Sequence, residues 1–342
     1  MSFQRSITAF FRPKRRVKNN KNNDTRDDGD QRSPKKARSL SHIDRHTSRM
    51  RPFLLLPHAN EAEFAIVLSH VTQFRAHMRE IDAPSSRPFL DFVQRITGRS
   101  NEPLAQYLET QLTKEEFRTF CLKTAPFVVD TVASLREIFV GKSEKLKVES
   151  DGRNEKKDER REFDELSVSA CGTKVPLLVP PVSKRQGKWR VQQQVLKLTR
   201  EQILALLACG FCGIRMRLSD PSVDMPSFDF SRLLHSTFGQ MQQKLRCVLQ
   251  YFETARTRNN LSEQHVFFVR RSSSGRVSAL ADQCHDRLVD VHFREATEKG
   301  FMRIEDAQGA LQVDFANRYL GGGVLGHGAV QEEIMFVCTP EC

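Results

Sequence analysis

At 342 residues, 39% of them hydrophobic and 28% charged, the chain is long enough for two modest domains and has the make-up of a soluble globular protein. The net charge of +12 is unevenly spread: residues 1–50 hold 14 Lys and Arg against 5 Asp and Glu, so most of the basic excess belongs to one segment. No apolar run approaches the ~18 residues of a membrane-spanning helix, and no apolar h-region with a small-residue cleavage site follows the basic N-terminus, so an intracellular protein without a membrane segment is expected.

Residues 1–50 are rich in Arg, Lys, Asn, Asp and Ser and carry too few apolar side chains to order themselves, which predicts a disordered basic tail. From Pro52 to about Val140 apolar residues recur at helical spacing (Phe64, Val67, Leu68, Val71, Phe74; then Phe117, Phe120, Cys121, Val128), which predicts a helical domain. Between Gly141 and Glu165, 17 of 25 positions are charged with mixed sign, the pattern of an exposed, mobile insertion. Helical spacing returns over Val191–Cys212 and over Phe228–Phe252, the latter with Leu233, Leu234, Phe238, Met241, Leu245, Val248 and Leu249. After Asn259 short β-like runs take over at His265–Val269, Leu288–Phe293 and Ala310–Phe315, so a sheet-bearing domain is expected to start near residue 262.

The cysteines, at 121, 171, 209, 212, 247, 284, 338 and 342, are scattered through apolar contexts and fit reduced core thiols. Cys209 and Cys212 form a lone CxxC with no second pair to complete a zinc set, so no metal and no cofactor are expected.

The stretch Leu311–Cys342 carries the chemistry. A strand leads into Gly321–Gly323, whose backbone can approach a diphosphate or ribose closely, and then into an apolar helical set at Val330, Ile334 and Val337. The spacing Gly321-x-Gly323-x-x-Gly326 mimics a dinucleotide fingerprint, but the second strand with its acid some 20 residues on is missing. His327 and Gly328 stand where a Walker loop needs Lys and Ser or Thr, which excludes that motif too. What distinguishes the stretch is the adjacent pair Glu332 and Glu333 in the first helical turn, with Gln331 before them and Asp314 and Asn317 upstream. Acids at a helix N-terminus are common on dipole grounds alone, so the whole constellation has to carry the reading.

That constellation, VDFAN, then GGG, then seven residues, then QEE, resembles the signature of the poly(ADP-ribose) glycohydrolases. Upstream, LLACGFCG, FDFSRLL, KLRCVLQYFE and HVFFVRR are similar to the same family, so the resemblance runs over roughly residues 50–342. It implies an α+β or α/β chain: a basic tail (1–50), a helical accessory domain (51–261, with the charged insertion at 141–165), and the N-terminal part of a macrodomain-like three-layer mixed sheet (262–342). A family member would continue beyond residue 342, so a C-terminally incomplete catalytic domain is expected. The implied reaction is hydrolysis of ribose–ribose O-glycosidic bonds. Glu333 would act as acid and then base, Glu332 would hold ribose hydroxyls, and Asp314 would complete the catalytic set. Asn317, Gly322 and Gly323 would contact ribose and diphosphate, and Gln331, Ile304 and Glu305 would lie near adenine. Screening from solvent and the neighbouring negative charge are expected to raise the Glu333 pKa.

Near the N-terminus Gln4, Ile7, Phe10 and Phe11 have the spacing of the peptide that docks on the replication sliding clamp PCNA: one helical turn gathers Ile7, Phe10 and Phe11 into a plug. Two basic clusters, Lys14, Arg15, Arg16 and Lys35, Lys36, Arg38, are of the kind read by a nuclear import receptor, so a nuclear monomer is expected. Two other readings remain: a truncated, inactive ADP-ribose-binding module, for which an acid pair would be superfluous, and a clamp-associated scaffold, which leaves the glycine loop unexplained.

Overall fold

The computed structural model of the chain describes residues 52–140, 163–166, 168–169, 171–178, 192–220, 228, 230–272, 312–314 and 320–342. The tail with its clamp and import motifs, most of the charged insertion and the expected strand at 288–293 lie outside the described residues.

The chain enters as strand β1 (Phe53–Leu55) and continues as helices α1 (Glu61–Arg79), α2 (Arg87–Thr97), α3 (Glu102–Thr110), α4 (Lys114–Thr119), α5 (Ala125–Ala133) and α6 (Leu135–Val140). Local chemistry sets their ends. The Asn60 side chain accepts from the Glu63 N–H at the start of α1, and Thr113 and Glu116 cap α4 reciprocally at 3.2 and 2.8 Å. α2 stops at Gly98, whose φ of +68° is free for glycine and costly for other residues. Between α4 and α5 the backbone widens into a π turn, Phe120–Thr124. Pro126 has no N–H to return to the preceding turn, and the Ala125 N–H reaches back to the Phe120 carbonyl. The expected helical face of α1 is present in Phe64, Val67, Val71 and Phe74, all buried, whereas Leu68 turns to solvent.

Among the described residues two small sheets accompany the helices. β1 lies between β3 (Lys174–Pro176) and β5 (Arg217–Leu218), antiparallel to both, with Leu54 opposite Val175 and Leu218. In the second sheet β4 (Gln192–Thr199) is central, parallel to β2 (Phe163–Leu166) and antiparallel to β6 (His265–Ser272). Three sequence expectations change here. Residues 192–199 are a strand, not the first half of a helix: Gln194, Leu196 and Leu198 are buried in alternation with exposed Lys197, a period of two. Helix α7 (Arg200–Phe211) starts only where Thr199 and Gln202 form a capping box at 3.1 and 3.0 Å. Strands do not begin near residue 262, because β6, the expected HVFFV strand, completes a sheet whose other members come from residues 163–199. The end of the charged insertion is thereby drawn into regular structure as β2.

The expected helix over 228–252 is divided into α8 (Ser231–Leu234) and α9 (Gly239–Thr257), with Phe238 at the break. Leu233, Leu234, Met241, Leu245, Val248 and Leu249 are buried as their spacing predicts. Residues 312–314, expected in a strand, have irregular backbone, and the chain then runs through the glycine turn into α10 (Gln331–Cys338).

Phe211, at the end of α7, centres the core. Its ring lies 5.8 Å from Phe89 of α2, 6.3 Å from Phe230 and 5.2 Å from Phe252 of α9, and Phe89 in turn meets Phe120 edge-on at 5.4 Å. Cys121, Cys209, Cys212 and Cys247 are buried as expected, and burial pushes the Cys209 thiol up to about 12. Cys171 and Cys342 are exposed, contrary to that expectation. Because four elements meet on one ring, Phe211→Ala is expected to cost roughly 3–5 kcal/mol of unfolding free energy, measured by urea denaturation.

Candidate active site

Glu332 and Glu333 open α10 and are withdrawn from water, 3% and 6% exposed. Two neighbouring carboxylates can be buried only if donors meet them, and the glycine loop supplies these. The Gly321 N–H donates to Glu332 Oε1 at 2.9 Å, the Gly323 N–H to Glu333 Oε1 at 2.9 Å, and the Val330 N–H to Glu333 Oε2 at 3.0 Å. The last bond satisfies an N–H at the helix start that would otherwise lack a partner within α10, and the positive end of the helix dipole favours both acids.

The contact is tight enough to dictate glycine. A Cβ on Gly322, whose φ is +50°, would stand 2.6 Å from Glu333 Oε1 and 2.7 Å from Glu332 Oε2. A Cβ on Gly328 would come within 2.6–2.8 Å of the Oε1, Cδ and Cγ atoms of Glu333. Gly322 and Gly323, expected to contact ribose and diphosphate, lie against the carboxylates, and Gly328 joins them as a position that sequence reasoning missed.

The pKa of Glu333 departs from expectation. Burial pushes its carboxyl up, but the N–H bonds from Gly323 and Val330 and the charge of Lys244 favour the ionised form and outweigh it, so the group lies below the ordinary glutamate value. Asp314 does the opposite: desolvation, then the charges of Glu332 and Glu333, push its carboxyl up. Both Asp314 oxygens are buried with no hydrogen-bond partner. Gln331 reaches back to the same segment, its Nε2 donating to the Val313 carbonyl at 3.3 Å. Asn317, Ile304 and Glu305 lie outside the described residues.

Lys244 of α9 was not foreseen. It is 1% exposed, and its Nζ donates to the carbonyls of Gly326 at 2.7 Å, Val324 at 3.0 Å and Gly323 at 3.4 Å, and to that of Gly328. Burial lowers its ammonium to about 8, against the raising effect of the Glu333 charge. A signal was available, since Lys244 interrupts the apolar stripe of Met241, Leu245 and Val248, where a lysine needs a buried partner. The C-terminal turn is fastened separately: Arg200 pairs with Glu341, which also accepts from the Tyr251 hydroxyl at 3.4 Å. A cleft of about 440 Å³, lined by Phe127, Asp130, Leu204, Arg258 and Leu261 among others, shares no residue with the carboxylate cluster.

The raised Asp314 pKa has a defined sign for stability. Its protonated form is the one folding favours, so its contribution is present at low pH and is lost as pH rises through the folded pKa. Asp314→Asn is expected to raise the thermal midpoint at pH 7, with the gain shrinking toward about pH 4, the ordinary aspartate range; melting curves at the two pH values check this.

Residues 112–270 match a family model described as poly(ADP-ribose) glycohydrolase (PARG), helical domain, and residues 281–342 match its companion, poly(ADP-ribose) glycohydrolase (PARG), Macro domain fold. The chain is 36% identical to poly(ADP-ribose) glycohydrolase 1 of Arabidopsis thaliana over 155 residues, which cover 44% of this chain and 27% of the relative. It is also 36% identical to poly(ADP-ribose) glycohydrolase 1 of Caenorhabditis elegans over 148 residues, 42% of this chain and 17% of the relative. With poly(ADP-ribose) glycohydrolase 2 of Caenorhabditis elegans it shares 60% identity over 40 residues, 12% of this chain and 8% of the relative. The matches thus span about a quarter or less of the length of these relatives. Between them the two family models take in well over half of the chain, and the second contains the glycine loop and both glutamates: the chain belongs to the poly(ADP-ribose) glycohydrolase family.

Proposed function

We propose that the chain hydrolyses the ribose–ribose O-glycosidic bonds of poly(ADP-ribose), releasing ADP-ribose. The observation that carries the reading is the buried Glu332–Glu333 pair, held at a helix N-terminus by the N–H groups of a glycine loop. Cleaving such a bond through an oxocarbenium-like transition state needs a proton for the departing oxygen and a base for the entering water, and one carboxyl can serve in turn. Glu333 takes that role, Glu332 holds ribose hydroxyls, and Asp314 and Asn317 face the riboses. Gly322 and Gly323 border the ribose and diphosphate, and Gln331, Ile304 and Glu305 border adenine.

With its pKa held below the ordinary glutamate value, Glu333 is ionised at neutral pH and takes a proton from solvent as substrate binds. A substrate oxygen that takes over the Gly323 N–H removes one of the bonds favouring the carboxylate, and exclusion of water then acts on the nearby charges of Glu332 and Asp314. Purified chain incubated with poly(ADP-ribose) is expected to release ADP-ribose, and Glu333→Gln to slow release by about 10²-fold or more. Release at an undiminished rate from the Gln variant would sink this reading.

We place the chain, as a monomer, in the nucleus, where its substrate polymer is tied to DNA repair and replication. Support comes from the basic clusters Lys14–Arg16 and Lys35–Arg38 and from the clamp-like peptide Gln4, Ile7, Phe10 and Phe11. A double Phe10→Ala, Phe11→Ala variant is expected to lose most of its retention on immobilised PCNA while keeping its hydrolytic rate; equal retention would refute clamp docking.

A further inference from the structure

Among the described residues, the Lys244 ammonium is the one feature of the site contributed by the long helix α9, and it meets no carboxylate oxygen of these residues within hydrogen-bonding distance. It meets backbone carbonyls instead. An ammonium has three N–H donors, and here they are shared among the carbonyl oxygens of Gly323, Val324, Gly326 and Gly328, four positions within one six-residue turn. A trans peptide is planar, so fixing a carbonyl fixes the next residue's N–H in the opposite sense. Drawing these four carbonyls to one cation therefore turns the N–H groups of Val324, Leu325, His327 and Ala329 away from it. The Val324 N–H closes the turn onto the Gly321 carbonyl at 3.0 Å, and the Gly326 N–H closes onto Gly323 at 2.8 Å. The same turn presents the Gly321 and Gly323 N–H groups to Glu332 and Glu333.

We propose that Lys244 is a positioning residue: its buried ammonium gathers the carbonyls of Gly323, Val324, Gly326 and Gly328 and so holds in place the turn whose Gly321 and Gly323 N–H groups meet the carboxylate pair. Without it, the Gly323 carbonyl keeps the Gly326 N–H, whereas the carbonyls of Val324, Gly326 and Gly328 lose the ammonium that draws them together. Glu333 is the ionised group whose charge favours the ammonium, against the effect of burial. Arg232, whose Nη1 would lie 3.7 Å from a Cβ at Gly326, is a second cation at the edge of the turn. The consequence for ligand binding rests on the hydrolase reading above; the consequence for loop order does not.

The test compares the wild-type chain, Lys244→Met and Lys244→Arg by hydrogen exchange without ligand and by calorimetric titration with ADP-ribose. In Lys244→Met, amides of residues 321–330 are expected to exchange about 10-fold to 100-fold faster, as for loss of charge-assisted hydrogen bonds, while α7 and α9 keep wild-type protection. Affinity for ADP-ribose should fall by about 10-fold or more. Lys244→Arg, which keeps a cation, should recover part of both losses. If the wild-type chain fails to bind ADP-ribose but the Met variant still frees the loop, the hydrolase reading fails and the positioning role stands. Unchanged loop exchange and affinity in the Met variant would overturn the role. Failure of both variants to fold would overturn it as well, by making Lys244 a general core residue.

Discussion

Burying Glu332 beside Glu333 is the constraint to which the rest of the described structure answers. Side by side and out of water, two carboxylates repel each other and lose their hydration, so each must find donors close at hand. The donors are backbone N–H groups of a turn folded back over the helix start, and the turn can come so near only where it lacks side chains. Such a turn leaves its carbonyls pointing the other way, toward the interior, where Lys244 receives them. Acids, loop and lysine thus form a sandwich of charges with peptide dipoles between them.

The lysine is only as well placed as the helix that bears it. α9 is fixed by Met241, Leu245, Val248 and Phe252, and Phe252 leans on Phe211, which also touches α2 and the segment entering α8. A path of packed side chains therefore joins the π turn at Phe120, through Phe89 and Phe211, to the residue under the loop. Thr124 in that π turn adds a direct tie, its hydroxyl donating to Glu253 of α9 at 2.7 Å. The helices upstream of the loop serve as the footing of the site.

Much of this was legible in the residues. The glycine run, the acid pair and the upstream Asp314 stood out as a constellation, although acids at a helix start are common by themselves, and apolar spacing located α1 and α9 because a buried helix face repeats every three to four residues. The β4 strand was misread because Val195 to Leu198 runs on into a helical stripe without a break; only the Thr199-x-x-Gln202 cap marks the change. The acidity of Glu333 was misjudged because burial is visible in a sequence and a backbone N–H aimed at a carboxylate is not. Lys244 was passed over for a related reason: its partners are main-chain carbonyls more than seventy positions away, which no side-chain pattern announces.

Gly322 and Gly328 answer to the glutamates themselves, since a methyl group at either would strike a carboxylate. The two features therefore belong to one inherited unit. In a descendant that had exchanged its glutamates for smaller side chains, selection would relax at Gly328, whereas the positive φ of Gly322 would still favour glycine there. A glycine kept at 328 is then a record that the acids were kept as well.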